Sequence, residues 1–370
     1  MKISVVGPIL PFKGGISLYN GLLIKSLNGH SVNTISWKRR IPNCLYPSTQ
    51  IEEGKKGMLK GDKFILDFLN PFSWVKAYIS VKKFESDVVI FHWVTPYLFH
   101  IFYSISFLLK LFTKTKILFI CHNVKPHESR FFDRIISKLC FNKVDYFVVH
   151  SNKDAKDLLK IKPKAQYEVN FLPNTGFSSK KFVKEDVSKK LNLKKKVILF
   201  FGFIREYKGL KYLLKAMPSI FKKVDCDLLI VGEFWQDKKE YLDLIDNLGI
   251  KNSVKIVSGY VANDKIKNYF DCSDVVVIPY VSATQSAIVQ LSYDFNKPVI
   301  STDVGGLSDV VFDGETGYLV PSENVEELAK AIIKFYKDDS LIEFSKNILV
   351  KKKLFTWENY IKSIDKLIKN

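Results

Sequence analysis

Runs of four or five residues rich in valine and isoleucine alternate with longer amphipathic stretches along almost the whole chain, and this recurrence narrows the possible folds more than any other feature. The first half holds Ile3–Val6, Val88–Phe91, Ile117–Cys121, Tyr146–Val149 and Val169–Leu172. The second holds Val197–Phe201, Leu228–Val231, Val254–Val257, Val275–Ile278, Val299–Ser301 and Tyr318–Val320. Continuous apolar runs of that length suit strands buried on both faces of a parallel sheet. Stretches between them, such as Leu210–Val224, Lys238–Leu248 and Val325–Tyr336, carry helical spacing. Strand alternating with helix predicts an α/β, doubly wound sheet, and the series restarts near Val197. Residues 174–196, rich in Lys and Ser and without a period, read as a linker. The expectation is two Rossmann-like domains with a cleft between them, 1–173 and 197–354.

A chain of 370 residues suits two such domains, and 47% apolar with 26% charged residues excludes a disordered polymer. The formal net charge is +19, unevenly placed. Residues 1–170 carry 26 basic and 12 acidic side chains, 26 − 12 = +14, and no Asp or Glu precedes Glu52. An excess confined to one half points to an anionic partner: lipid, nucleic acid or a polyanionic substrate. The plain alternative is a Lys-rich composition. Nucleic acid ranks last, because zinc-finger spacing and RNP aromatics are both missing. Five cysteines (Cys44, Cys121, Cys140, Cys226, Cys272) form no CxxC pair, so neither a disulfide framework nor a zinc ribbon is expected, and a reducing cytosol fits.

The N-terminal run Lys2 to Gly7 lacks a long apolar region and a cleavage site, so no signal peptide is expected. Tyr97–Phe112, 16 residues containing His100 and Lys110, is short of the ~20 a spanning helix needs. It reads as a buried helix or one lying on a bilayer surface, and its aromatics beside Lys110, Lys114 and Lys116 favour contact with lipid.

Ligands of doubly wound sheets bind beyond the carboxyl ends of the strands, so each strand-end loop is a candidate. After the first strand, Gly14 and Gly15 precede a helix-like run and allow close approach of an anion to backbone, although a plain turn would look the same. After Ile117–Cys121 come His122, Asn123 and, further on, His127 and Glu128. His122 directly follows the strand and suits donation to a sugar hydroxyl or orientation of a leaving phosphate. His127 and Glu128 would form a local acid/base pair, or a structural loop. Gly202, Arg205, Lys208 and Gly209 follow Val197–Phe201. Arg offers a planar fork and Lys a point charge, a combination that suits a diphosphate. Small polar residues, Ser282 to Ser286, precede the run from Ala287, where a helix N-terminus would hold phosphate.

Together these residues resemble glycosyltransferase family 4. The likeness rests on Gly202, Arg205 and Lys208-Gly209, on Ile230-Val231-Gly232-Glu233, on Pro298 to Gly306, on Asp313 to Val320 and on Phe355-Thr356-Trp357-Glu358. It implies a GT-B fold, with a C-terminal helix, about 355–370, crossing back to the first domain. It implies a nucleotide-sugar donor held mainly by the second domain, a glycan or lipid-linked acceptor held by the first, and retaining transfer without cofactor or metal. By that likeness Arg205 and Lys208 neutralise the leaving diphosphate, with Gly14 and Gly15 near it. His122 contacts the transferred sugar, and Gly232 with the Tyr260-Val261 backbone lies near the nucleotide. Members carry two glutamates eight residues apart around the helix after the Pro279 strand. Counting back from Pro298 without gaps places Ala283 and Leu291 there, and Gln285 and Gln290 stand nearby instead. An amide both donates and accepts, so these two take the sugar and ribose hydroxyls as candidates. Phe203 stands where the family has an arginine, and Arg205 is its candidate substitute.

The reading is therefore a sugar transferase of cell-envelope or extracellular polysaccharide synthesis, cytoplasmic and peripheral on the inner face of the membrane, where a lipid-linked acceptor would lie. Ser286-Ala287 amides join Arg205 and Lys208 at the leaving group. The rival reading is a non-catalytic GT-B-like protein that binds lipid or polysaccharide.

Overall fold

The computed structural model describes residues 1–40, 50–51, 62–125, 131–177, 185–193 and 196–369. The chain divides into two compact units, Met1–Phe171 with Trp357–Asn370, and Leu172–Thr356.

The first unit is built on seven parallel strands in the order β3-β2-β1-β4-β5-β6-β7. They are β1 (Lys2–Val6), β2 (Ser31–Arg39), β3 (Lys63–Asp67), β4 (Val88–Trp93), β5 (Lys116–Cys121), β6 (Tyr146–Val149) and β7 (Gln166–Val169). Strands β4 to β6 are buried along their length apart from Lys116, as their unbroken apolar runs require. Their Phe91, Trp93, Phe119 and Phe147 pack with Phe102 and Phe141 from covering helices. The C-terminal helix Trp357–Lys369 belongs to this unit, packed against β6, β7 and the helix Gly15–Ser26.

The second unit has six parallel strands in the order β10-β9-β8-β11-β12-β13. They are β8 (Val197–Phe201), β9 (Asp227–Gly232), β10 (Val254–Ser258), β11 (Val275–Ile278), β12 (Val299–Thr302) and β13 (Gly317–Val320). In each sheet the first strand sits between the second and the fourth. Chain direction across the sheet reverses there, at β1/β4 and at β8/β11, and the carboxyl edge at such a point is open to a ligand.

Three expectations change. Strands β2 and β3 were not expected, and the seventh strand is Gln166–Val169 rather than Val169–Leu172. The stretch 174–196 is partly packed where it is described: it holds a short helix, Val187–Leu191, Phe177 is 1% exposed, and the Phe177 amide and the Thr175 hydroxyl both donate to Asp294 Oδ2. The run Tyr97–Phe112 divides into a 3-10 turn, Pro96–Leu98, and the helix Phe99–Phe112, which buries Ile101, Phe102, Ile105 and Leu109. Among the described residues no helix is long and apolar enough to cross a membrane.

Candidate functional site

In the second unit the loop after β8 runs Gly202 to Gly209 and contains a 3-10 turn, Glu206–Lys208. Gly202 adopts φ 111° and its amide donates to the Val231 carbonyl. A Cβ at Gly202 would lie 3.5 Å from Lys208 Nζ and 3.6 Å from Ile288 Cδ1. The Lys208 ammonium and the first turn of the helix Ala287–Asp294 therefore converge on bare backbone at the end of β8. Ser286 caps that helix, its hydroxyl accepting from the Ile288 amide at 3.2 Å. The remaining first-turn amides are the ones a helix start offers to an anion.

Two glycines hold the loops this close. Gly232, at the end of β9, would place a Cβ 1.8 Å from the Gly202 carbonyl oxygen. Gly209 (φ 66°) would place one 1.9 Å from the Pro279 carbonyl oxygen, where β11 ends. Only a residue without a side chain lets these backbones touch.

Lys208 Nζ also lies 5.1 Å from the centroid of the buried Tyr280 ring. Burial pulls this ammonium down, but Tyr280 and Tyr207 outweigh it and the net direction is up. Lys208 is thus a cation at neutral pH. The Arg205 guanidinium lies over the rings of Trp235 (5.1 Å) and Tyr207 (5.6 Å), and Phe203 packs on Trp235. Position 203 thus supplies part of the aromatic support for Arg205.

Gln285 and Gln290 flank Ser286 and the helix start. The Oε1 atoms of both are buried without a hydrogen-bond partner among the described residues, and Gln290 is 2% exposed. Two acceptors withdrawn from water without a partner are costly unless a ligand donates to them. Tyr260 and Val261 lie in the loop after β10, where the Gly259 amide donates to the Gly232 carbonyl. Gly202, Lys208, Gly232, Ser286 and Ala287 are brought to one edge, and Tyr260-Val261 lie one strand further out.

The first unit presents a separate constellation. Gly14 (φ 106°) precedes the helix Gly15–Ser26, and a Cβ at Gly14 or Gly15 would meet nothing within 4 Å. His122 follows β5 and is 4% exposed. His92 lies within β4 and His150 follows β6, so neighbouring strands carry histidines at their carboxyl ends. His122 Nε2 is 3.1 Å from His92 Nδ1, and the edge of Tyr19 meets all three rings. Tyr19 in turn donates to the Tyr360 hydroxyl of the C-terminal helix and packs on Trp357. Burial holds the imidazoles neutral: His92 is pushed down to about 3, His150 to about 4, and His122 well below its usual value. Among the described residues no group of three or more His, Cys, Asp or Glu is arranged to hold a metal ion. His127 and Glu128 lie outside the described residues.

Sequence reasoning reached His122 but not His92, His150, Tyr19, Asn20 or Tyr360. The two histidines carried a usable signal, since each closes an apolar run as His122 does.

Residues 182–370 match a family model described as glycosyl transferases group 1. An uncharacterized glycosyltransferase of Methanocaldococcus jannaschii is 31% identical over 170 residues, 45% of this chain and 43% of that protein. A D-inositol 3-phosphate glycosyltransferase of Paenarthrobacter aurescens is 31% identical over 145 residues, 38% of this chain and 35% of that one. The matched segments thus span less than half the length of these relatives. In fold, Anabaena Alr3699/HepE in complex with UDP and glucose superposes with a TM-score of 0.76 at 17% identity, covering 100% of this chain and 99% of that one. Sucrose-phosphate synthase from Thermosynechococcus elongatus gives 0.75 at 18% identity, covering 100% and 98%.

Proposed function

Since this chain belongs to the glycosyl transferases group 1 family, we propose that it moves a sugar from a nucleoside diphosphate sugar to a hydroxyl of a glycan or lipid-linked acceptor. One observation carries the reading: the Lys208 ammonium, the bare backbone of Gly202 and the start of the helix Ala287–Asp294 meet at the carboxyl edge of β8 and β11. Departure of the nucleoside diphosphate concentrates negative charge on its terminal phosphate. A preorganised ammonium and helix-start amides stabilise that charge without reorganising as it forms. Arg205, on its aromatic platform, supplies a second cation. The acceptor hydroxyl attacks the face the diphosphate leaves and gives its proton to the departing oxygen, so configuration is retained, in the manner of family 4. These residues supply the charge without a metal. The complex of the Anabaena protein with UDP and glucose supports this donor class. The neutral Gln285 and Gln290 take the hydroxyl contacts that carboxylates make elsewhere, their unpaired Oε1 atoms accepting from sugar or ribose.

A melting-temperature screen across UDP-, GDP-, ADP- and CMP-sugars tests this, since a ligand that binds only the folded chain raises its apparent stability. One of the UDP-, GDP- or ADP-sugars is expected to raise the melting temperature and to be turned over with release of its nucleoside diphosphate, whereas CMP-sugars, which carry a single phosphate, are expected to give no shift. No shift with any of them would reject the reading, and binding without turnover would favour a non-catalytic role.

We further propose that the first unit rests on anionic lipid, on the cytoplasmic face, where a lipid-linked acceptor for envelope or extracellular polysaccharide would lie. Three adjacent helices expose apolar rows: Phe72, Val75 and Ile79 on Pro71–Lys83; Phe107, Leu111 and Phe112 on Phe99–Phe112; and Phe132, Ile135 and Leu139 on Phe131–Phe141. Lys76, Lys83, Arg134 and Lys138 lie on the same helices. Apolar side chains enter the headgroup boundary, and each nearby cation adds about 1 kcal/mol at an anionic surface. Co-sedimentation with anionic vesicles, weakening as salt rises, is the expected result. Equal binding to neutral vesicles would contradict the electrostatic part.

A further inference from the structure

The hydrogen bonds around His122 fix which of its nitrogens carries the proton. Asn20 Nδ2 donates to the Pro8 carbonyl at 3.0 Å. A carbonyl oxygen only accepts, so the amide has one orientation, and Asn20 Oδ1 faces His92 Nε2 at 2.9 Å. Oδ1 also only accepts, so His92 Nε2 bears a hydrogen. His92 is 1% exposed, and its ring nitrogens face His122 and Asn20, neither a carboxylate that would hold a second proton. Burial keeps the ring neutral. His92 Nδ1 is then a bare lone pair, and His122 Nε2, 3.1 Å away, must donate to it. His122 is neutral for the same reason, so its Nδ1 is left without a hydrogen, and no described residue donates to it.

The space for this chain of contacts is made by Gly7, which follows β1. A Cβ there would lie 2.6 Å from His92 Cδ2 and 2.8 Å from Asn20 Nδ2. The arrangement sits at the β1/β4 reversal point, where a doubly wound sheet opens to its ligand.

We propose that Gly7, Asn20 and His92 are positioning residues that hold His122 in its Nε2–H tautomer, so that His122 meets substrate through Nδ1 as a hydrogen-bond acceptor and selects a hydroxyl. The proposal rests on the reading of the chain as a sugar transferase, because it takes His122 to face substrate. It reverses the sequence expectation of a donating or phosphate-orienting histidine. A neutral ring with a bare Nδ1 offers neither a proton nor positive charge to a phosphate oxygen, whereas a sugar hydroxyl has a hydrogen to give.

Long-range 1H–15N correlation spectra of histidine-labelled protein at neutral pH read the tautomer directly and need neither a variant nor a donor. The wild-type chain is expected to show His122 protonated on Nε2 alone. In His92→Phe, which removes the acceptor, the Nδ1–H form is expected to appear. His92→Asn, whose amide both accepts and donates, is expected to restore the Nε2–H form. With the donor found by the melting screen, His92→Phe should lower kcat about tenfold, the loss of one hydrogen bond, with KM little changed, and His92→Asn should recover most of it. A wild-type His122 carrying its hydrogen on Nδ1, or a tautomer indifferent to His92→Phe, would overturn the proposal. Should no nucleotide sugar be turned over, the functional reading fails while the spectrum still decides the tautomer, so the two failures are seen separately.

Discussion

Lys208→Met is expected to lower the rate of nucleoside diphosphate release by two to three orders of magnitude while the protein melts close to the wild-type temperature. Methionine keeps an unbranched apolar stem over Gly202 and removes the ammonium, its charge and its N–H donors together. On the proposed reading a diphosphate is already held in the ground state by the start of the helix Ala287–Asp294, so much of its binding is expected to survive. The transition state is where the charge of the breaking bond arrives, and removing one preorganised group aimed at such charge costs about 10²–10³ in rate. Donor KM should therefore change far less than kcat. Arg205→Ala acts in the same sense, since its guanidinium, from the same loop as Lys208, is held over Tyr207 and over Trp235 of the loop after β9. Steady-state kinetics of the two variants check this, and near-normal turnover in both would reject the roles given to them.

The second large effect concerns acid. In the unfolded chain a histidine takes a proton near pH 6.5. Folded, His92 waits until about 3 and His150 until about 4, because burial disfavours the imidazolium. Below pH 6.5 the unfolded state therefore binds protons that the folded state refuses, and stability falls as pH falls. One unit is about 1.4 kcal/mol per group, so each of these two histidines costs about 2 kcal/mol by pH 5. His122, shifted in the same direction, adds to the loss. Asp154 works the other way: burial raises it to about 6, so the folded state gains a proton first, an offset of about 1.4 kcal/mol by pH 5. The net expectation is a first unit weakened by several kcal/mol between pH 7 and pH 5. Four of the five tryptophans (Trp37, Trp74, Trp93 and Trp357) belong to that unit, so tryptophan fluorescence in urea follows it. The midpoint should drop markedly at pH 5, and an unchanged or higher midpoint would contradict the buried neutral histidines.

What the sequence showed and what it hid have physical causes. Strands buried on both faces must be apolar throughout, so β6, β8 and β11 were legible with their bounds, and β4 and β5 nearly so. Strand β2 was hidden because its buried positions include Asn33, Thr34 and Ser36. Asn33 is satisfied by Ser4 Oγ and by the Lys63 ammonium of β3, partners that no local pattern discloses. Edge strand β3, KFILD, is charged at both ends and only partly buried, so no doubly buried apolar run marks it. The linker reading failed at Phe177 and Thr175, which are tied to Asp294, more than a hundred residues away in sequence.

In the sites, what directly follows a strand end was readable: Gly202, Lys208 and His122 all follow from the same rule, while Gly232 entered through the family resemblance. Whatever depends on a pairing across the sheet was not. His92 directly follows the run read as Val88–Phe91, but its pairing was hidden, and Asn20 and Tyr19 lie inside the helix-like run after Gly15. Only the fold brings Asn20 to His92, 72 positions later, and Tyr19 to Tyr360, 341 later. That the family's two glutamates are missing, with Gln285 and Gln290 standing near their places, was visible at once. That both Oε1 atoms are buried and unpaired among the described residues was not.

Amide hydrogen exchange of the whole chain, with and without the saturating nucleoside diphosphate sugar chosen by the melting screen, tests the central claim most directly. The account predicts slowed exchange in two segments, 202–209 after β8 and 285–290 at the start of the helix Ala287–Asp294, and loss of that slowing in the Lys208→Met, Arg205→Ala double variant. A donor that binds tightly while both segments exchange at their unliganded rates would contradict it.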